Sequence, residues 1–490
     1  PDEVVAGRAY PLIIYLHGSG QGHAGDGAVF DRWAGPSRCF VAQACARRCD
    51  FYKSFAMRDV RDVIADVTSR FAIDPDRISL YGYSAGAFAT LRMASQTPHE
   101  FAAIASLAGD LPPGEEDNLS AVPTLVVHGL SDPNVPIASG MAMNLFEWRR
   151  TGAPVTERLL PRSGHGTPLS GVEDWLLRHV RNPAPSAVVC RTARHDPRPG
   201  RAHWVAITSL VITDQQAAVS ARIDGSVLKA VTANAAGCAF ALASLPGRIE
   251  AIEIDGQRLT APTAACVALT HGANGWTAAG CERMPEPDPA DYAPGGVENL
   301  FRAGPILIVS GEGFGDAAQR LASFSPDGAN ATIHWPVKAA AEVVPADLAA
   351  NNLILLGGAD VNAVSAAVAK ATWLLPLPAN EAAPPHALQA ERTYLVPMLG
   401  EGEPTAIAGV TAFAAENYAF SLVTRNPFAP ARRVWLLIAP DEKLIARRSN
   451  LLRTWWQEGT PDLFVVERAT GMIVAEWTMG NGWRPGMIWR

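Results

Sequence analysis

The residues Gly82-Tyr83-Ser84-Ala85-Gly86 constrain this chain more than any other stretch. They join an apolar run, Arg77–Tyr81, to a Gly- and Ala-rich stretch of helical character from Ala85 to Ser95. A serine on a strand-to-helix turn sits on a sharp bend, and the positions two before and two after it must be small for the backbones to pass. The same alternation of strand and helix runs through the first 182 residues. Pro11–Leu16 (PLIIYL) reads as a strand entering a Gly-rich turn. Asp59–Phe71 places Val60, Val63, Ile64 and Val67 on one helical face. Phe101–Leu107, Pro123–His128 and Val155–Leu160 read as strands, and Gly171–Val180 as an amphipathic helix. This rhythm predicts an α/β fold, a mostly parallel sheet with helices on both faces.

Beyond Asn182–Pro185, which reads as a linker, the texture changes. Short strands are predicted at Trp204–Ile212, Ala217–Ile223, Leu228–Thr232, Ala239–Leu242 and Ile249–Ile254, with turn signals at Asp224-Gly225 and Asp255-Gly256. No helical period is sustained, so a small β-sandwich is expected. A Pro/Asp-rich stretch, Pro285–Pro294, precedes a second α/β region. It has buried strands at Pro305–Ser310 and Asn352–Leu356, a turn and helix over Gly357–Ala371, a helix at Lys443–Trp456, and strands at Asp462–Glu467 and Gly471–Trp477. The expected modules are therefore residues 1–182, 183–285 and 296–490.

Composition excludes several classes. With 48% hydrophobic residues in 490, wholesale disorder is out. The net charge is −7 and no Lys/Arg block stands out, which argues against nucleic acid as a partner. Apolar runs such as Leu353–Leu356 fall far short of the ~18 residues of a membrane span. Seven cysteines over this length are no disulfide scaffold. Cys39, Cys45 and Cys49 cluster without a histidine at zinc-like spacing, so buried thiols or one disulfide are expected and no metal site. Gly311–Gly315 (GEGFG) and Gly357–Asp360 (GGAD) lack the full spacing of a nucleotide loop and read as structural turns.

Three further segments give the serine partners. Leu16-His17-Gly18-Ser19-Gly20 closes the first strand, where a Gly-rich loop can aim a backbone N–H at a developing oxyanion. The Ser19 and Ala85 N–H groups are the expected pair of donors. Asp132 follows the PTLVVH strand and can orient a histidine, and His165, in Ser163-Gly164-His165-Gly166, follows the next strand. A serine hydroxyl needs an adjacent base, and a histidine titrates near working pH, so it can take the proton and return it. An aspartate fixes the tautomer and stabilises the imidazolium. The expected catalytic set is thus Ser84, Asp132 and His165. Asp110, in SLAGD, is the rival carboxylate. Tyr83, His17 and Trp33 are candidates to face a substrate. His23 lies in a flexible loop that can touch one, and His128 reads as packing beside the site.

LHGSG, YGYSAGA, VVHGLSDPNVP and SGHG together resemble the esterase and dienelactone-hydrolase side of the α/β-hydrolase superfamily. Carboxylesterases, acetylxylan and feruloyl esterases and polyhydroxyalkanoate depolymerases are similar. The whole chain also resembles multidomain bacterial proteins grouped with prolyl-oligopeptidase-like hydrolases. The resemblance implies a serine esterase using a Ser-His-Asp triad and an acyl-enzyme, with no cofactor and a small or polymer-linked ester as substrate. It also implies a bacterial exported protein, secreted or periplasmic. Two other readings stand beside it: a serine peptidase, weakened because no blade repeats are present, and a binding scaffold on a vestigial hydrolase fold. Two departures from the pattern are expected to matter. Only ten residues precede Pro11, so either the strands that normally come earlier are expected to be missing or the chain is truncated, and Arg38–Phe55 is a short Cys-rich segment in place of a longer loop.

Overall fold

All seven residues of Tyr10–Leu16 are buried, the pattern of a strand covered on both faces. In the computed structural model this run is β1 of a six-stranded sheet. The spatial order is β2 (Phe40–Ala44), β1, β3 (Ile73–Tyr83), β4 (Ala103–Leu107), β5 (Thr124–Gly129) and β6 (Val155–Leu160). Every neighbouring pair is parallel. The structure describes residues 4–19, 35, 38–44, 54–112, 114–192, 200–211, 216–285, 300, 304–322, 335–371, 388–389, 394–395, 418–429, 432–439, 441–443, 463–470, 473–479 and 485–489. Trp33, His23, Cys45, Cys49 and most of the helix expected at Lys443–Trp456 lie outside these residues.

The chain runs outward from β1 to β2, then crosses back over β1 to β3 and proceeds to β6. The order reverses between β1 and β3. In a parallel sheet the loops at the carboxyl ends of two such strands diverge and leave a crevice, the usual place for a site. Among the described residues four helices accompany the sheet: α1 (Ser54–Arg70), α2 (Ala85–Gln96), α3 (Met141–Thr151) and α4 (Val172–Leu177). Ten of the twelve residues of α2 are buried, and its Ala and Gly content lets it lie close against β3 and β4.

The structure departs from the sequence reading at both a strand and a helix. Residues 38–55 do not form only a loop, because Phe40–Ala44 is an edge strand, too short for its pattern to separate it from a loop. Helix α3 was not anticipated, although Met141, Leu145 and Trp148 form a buried i, i+4, i+7 stripe and Gly152 ends it with φ of 72°. Helix α4 stops at Leu177, short of the expected Val180.

Residues 187–281 form two five-stranded sheets. One has the order β14 (Gln257–Thr260), β13 (Ala251–Ile254), β11 (Val227–Ala233), β10 (Ala218–Asp224), β7 (Ala187–Arg191). The other is β16 (Gly275–Cys281), β15 (Cys266–Gly272), β12 (Ala235–Phe240), β9 (Val205–Leu210), β8 (Arg201–Ala202). Their inner faces share one core that includes Trp204, Phe240 and Trp276. The Asp255-Gly256 pair makes the two-residue turn between β13 and β14, both residues at positive φ, 48° and 82°. β7, β8, β14 and the β15–β16 hairpin are additions to the predicted strands. Cys266 and Cys281 face each other across that hairpin and form a disulfide. Cys39, Cys190 and Cys238 remain thiols, which burial pushes up to about 11, about 12 and about 12, so they are not nucleophiles near neutral pH.

The six-stranded sheet and this sandwich belong to one compact unit, and residues 287–490 to a second. Within the first unit, one buried amide joins the layers. Asn118 Oδ1 accepts from the Arg191 N–H at 2.7 Å while its Nδ2 donates to the Arg191 and Ser95 carbonyls, both at 2.9 Å. The side chain pairs with β7 as a strand neighbour would. Arg191 adds an ion pair to Asp117 at 2.7 Å. Asn118→Ala leaves these buried main-chain groups unmet, at about 1–3 kcal/mol for the set. The thermal midpoint of the variant is therefore expected to fall by several degrees, measured by calorimetry.

The second unit holds an eight-stranded sheet. Its parallel part has the order β18 (Val337–Ala339), β17 (Ile306–Ser310), β19 (Asn352–Leu356), followed by β20 (Arg433–Ile438), also parallel to β19. The remaining strands extend it antiparallel from β20. The two Gly-rich turns lie against each other. A methyl group on Gly357 would lie 3.2 Å from the Phe314 ring, and Glu442 Oε2 already accepts from the Ala317 N–H in the first turn of the Gly315–Ala322 helix. Among the described residues no helix is long and apolar enough to cross a membrane.

Candidate active site

Ser84 stands between β3 and α2 with φ of 52°, a left-handed conformation for a non-glycine residue. Its N–H donates to the Leu107 carbonyl at 2.8 Å, and its own carbonyl accepts from Ala87 and Phe88, so the bend is held from both sides. A methyl group on Gly82 would lie 2.0 Å from the Gly86 carbonyl oxygen, and one on Gly86 would lie 1.9 Å from that of Leu16. The spacing of small residues read from the sequence thus has a concrete cause. The second glycine lets the first turn of α2 touch the end of β1.

That contact brings the His17-Gly18-Ser19 turn beside the elbow. His17 is buried, with Nδ1 2.8 Å from the Gly18 carbonyl oxygen, and it shapes the turn. Ser19 is exposed, and Ala85 is the buried first residue of α2, where main-chain N–H groups have no partner within the helix.

The carboxyl ends of β5 and β6 supply the other two groups. Asp132 follows β5 in a tight turn. Its Oδ1 accepts from the N–H groups of Asn134 and Val135, each at 2.9 Å. Its Oδ2 lies 2.8 Å from His165 Nδ1. His165 Nε2 in turn lies 2.9 Å from Ser84 Oγ. Burial works to raise the Asp132 carboxyl, but the Val135 N–H, the His165 ring and the Asn134 N–H outweigh it and hold it below the usual carboxylate range. The Asp132 side chain is 0% exposed and that of His165 is 18% exposed, so the carboxylate is sealed while the imidazole edge is reachable.

Close backbone approach sets the His165 loop. A methyl group on Gly129 would lie 2.2 Å from the Gly164 carbonyl oxygen and 2.4 Å from that of Ser163. The Ser131 N–H donates to the Ser163 carbonyl at 3.1 Å. Tyr83 then clamps the loop from the other side. Its hydroxyl donates to the His165 carbonyl at 3.2 Å, and its ring centroid lies 5.2 Å from that of the imidazole. Burial, with Asp132 nearby, raises the phenol and keeps it a donor.

The structure therefore brings Ser84, His165 and Asp132 into one chain of hydrogen bonds. The rival carboxylate, Asp110, instead accepts from the Ser139 hydroxyl at 3.2 Å, and burial raises it, with Ser139 and His128 pulling the other way. Tyr83, read as a substrate-facing candidate, anchors the His165 loop. Sequence reasoning missed Gly129 and the backbone donors of Asn134 and Val135, although Asp-Pro-Asn after a strand is a turn signal. Among the described residues no group of three or more His, Cys, Asp or Glu is placed to hold a metal.

The family profile described as Phospholipase/Carboxylesterase matches residues 53–175. The protein named "Putative esterase NocK" of Nocardia uniformis subsp. tsuyamanensis is 31% identical over 142 residues, which are 26% of this chain and 41% of that protein. The chain thus spans about two fifths of that relative's length. Among solved structures, a thermostable esterase is 23% identical with a TM-score of 0.34, covering 37% of this chain and 58% of that one. SOBER1 of Arabidopsis thaliana is 18% identical with a TM-score of 0.29, covering 35% and 99%. The matched segment contains the elbow, Asp132 and His165, and with β1 and β2 it builds the parallel sheet. The domain that holds this segment has an α/β-hydrolase fold and resembles the phospholipase/carboxylesterase family over the matched residues.

Proposed function

We propose that this protein is a serine esterase that cleaves carboxylic esters through an acyl-enzyme. The observation that carries this reading is the unbroken relay from Asp132 through His165 to Ser84, on a strained elbow in the crevice where the strand order reverses. Ser84 Oγ attacks the ester carbonyl carbon while His165 Nε2 takes the hydroxyl proton. The carbonyl oxygen becomes an oxyanion, met by the main-chain N–H groups of Ser19 and Ala85 and by the positive end of α2. Collapse of the tetrahedral intermediate breaks the bond to the alkoxy group, which leaves with the proton from His165. A water molecule, deprotonated by the same nitrogen, attacks the acyl-enzyme and releases the acid. Asp132 stays ionised throughout and stabilises the imidazolium. The Cys266–Cys281 disulfide supports placement in an oxidising compartment, as an exported protein would have.

A fluorophosphonate probe with mass spectrometry tests the nucleophile, and turnover of p-nitrophenyl acetate against a peptide anilide tests the substrate class. One adduct, on Ser84, with ester but not anilide turnover is expected. No adduct on the folded protein overturns the reading in favour of a binding scaffold. Anilide turnover at a comparable rate moves it to a peptidase.

Gly129 provides an independent check. Gly129→Ala forces a methyl group onto main-chain oxygens that cannot swing aside, so the His165 loop must move. A displacement on the scale of 1 Å costs about 10²-fold in rate. Ester turnover is expected to fall by that order with the circular dichroism spectrum retained.

A further inference from the structure

His128 is the last side chain of β5 before Gly129, and it is fully buried. The relay from Ser84 to Asp132 does not include it. Its Nε2 lies 2.8 Å from the Val135 carbonyl oxygen. A carbonyl only accepts, so this nitrogen carries the hydrogen and donates. The N–H of the same residue, Val135, is one of the two donors to Asp132 Oδ1, at 2.9 Å. The ring's Nε2 edge also lies 3.9 Å from Asp132 Oδ2, the oxygen that faces His165. The ring therefore grips the turn that grips the carboxylate, and turns its positive edge towards it. The other nitrogen, Nδ1, is buried with no hydrogen-bond partner among the described residues. The hydrogen bond that this ring makes is thus directed at the turn that holds Asp132.

We propose that His128 is a positioning residue for the Asp132–His165 pair, acting through the Val135 peptide. It fixes where Oδ2 sits and hence how His165 Nδ1 is held. This inference rests on the esterase reading of Ser84.

The test uses the geometry of the two ring nitrogens. In His128→Gln the amide nitrogen stands near the position of Nε2 and can still reach the Val135 carbonyl. In His128→Asn it stands near that of Nδ1 and cannot. Both variants are polar and both bury an amide, so a fold effect is shared and a positioning effect is not. Rates of p-nitrophenyl acetate turnover are taken per active site titrated with the fluorophosphonate, which removes misfolded protein from the count. His128→Asn is expected to lower kcat by about 10- to 100-fold with KM within about twofold, in line with the cost of a small misplacement. His128→Gln is expected to recover most of the rate. Equal kcat per titrated site in His128→Asn, His128→Gln and the unaltered protein overturns the proposal. So does an equal loss in both variants, which would mark a packing role. Should the unaltered protein take no label and turn over no ester, it is the esterase reading that fails.

Discussion

Ser84→Ala is expected to lower ester turnover by a factor on the order of 10⁴ to 10⁶ and to remove fluorophosphonate labelling entirely. The size follows from what remains. In the proposed mechanism no acyl-enzyme forms without Oγ, and water must attack the ester directly. His165, Asp132 and the oxyanion donors stay in place and keep a residual acceleration, because such groups are strongly non-additive with the nucleophile. A loss of 10⁴ corresponds to about 5.4 kcal/mol of barrier. The fold should be little affected. The hydrogen bond recorded for the Ser84 side chain is the one to His165, while its main-chain bonds to Leu107, Ala87 and Phe88 survive the substitution. Steady-state kinetics with calorimetry on the same sample checks both parts. Retention of turnover within tenfold would remove Ser84 from the chemistry.

The second large effect is on stability as a function of pH, and it arises where the hydrolase layer meets the sandwich. His99 lies in the short turn after α2, and His203 follows β8. Arg181 Nη1 donates to the His99 carbonyl at 2.9 Å, and Arg201 Nε to that of His203 at 3.0 Å. Burial lowers His99 from 6.5 to about 3, with Arg201, His203, Arg181 and Arg61 adding to the effect. Burial likewise lowers His203 to about 4, with Arg181 and Arg201 adding and the Asn182 main chain opposing. Both rings are neutral in the folded protein at pH 5, whereas in the unfolded chain they are mostly protonated there. The unfolded state thus binds more protons, so stability falls as pH drops below about 6.5, and the loss stops growing only once pH passes the folded values near 4 and 3.

Each ring is expected to cost about 1–2 kcal/mol between pH 7 and pH 5. For a unit of this size that lowers the thermal midpoint by roughly 5–10 °C. The His99→Gln/His203→Gln double variant should flatten this slope. If calorimetry finds the same slope in the double variant, the acid sensitivity lies elsewhere.

The legibility of this protein divides along the range of the interactions involved. Motifs at short range could be read. Gly82-Tyr83-Ser84-Ala85-Gly86 between a strand and a helix, Asp132 after one strand and His165 after the next are local patterns, and the structure brings these three side chains together. The parallel sheet was legible because fully buried strands such as Tyr10–Leu16 are continuously apolar. The β-sandwich was legible from short strands and Asp-Gly turns. The five residues of β2 were not, since their strand character comes from pairing with β1 rather than from any period of their own. The β15–β16 hairpin and the pairing of Cys266 with Cys281 were not legible either, because cysteine connectivity depends on which strands become neighbours.

Roles that depend on a neighbour distant in sequence were decided only in three dimensions. Tyr83 was a candidate to face a substrate. The fold places it against His165, 82 residues away, and makes it a clamp. Asp110 and Asp132 both follow strands and carry the same chemistry, and the choice between them rests on which strand end faces the His165 loop. Asn118 gave no signal at all, yet it pairs with Arg191, 73 residues on, as part of a sheet edge. By itself, then, the sequence determined the chemistry available, the fold class and the strand ends that carry the reactive groups, because these follow from residue type and local periodicity. The tertiary structure alone decided which side chains hold those groups in line, because hydrogen-bond distance and close backbone contact exist only once separate strands and loops have packed together.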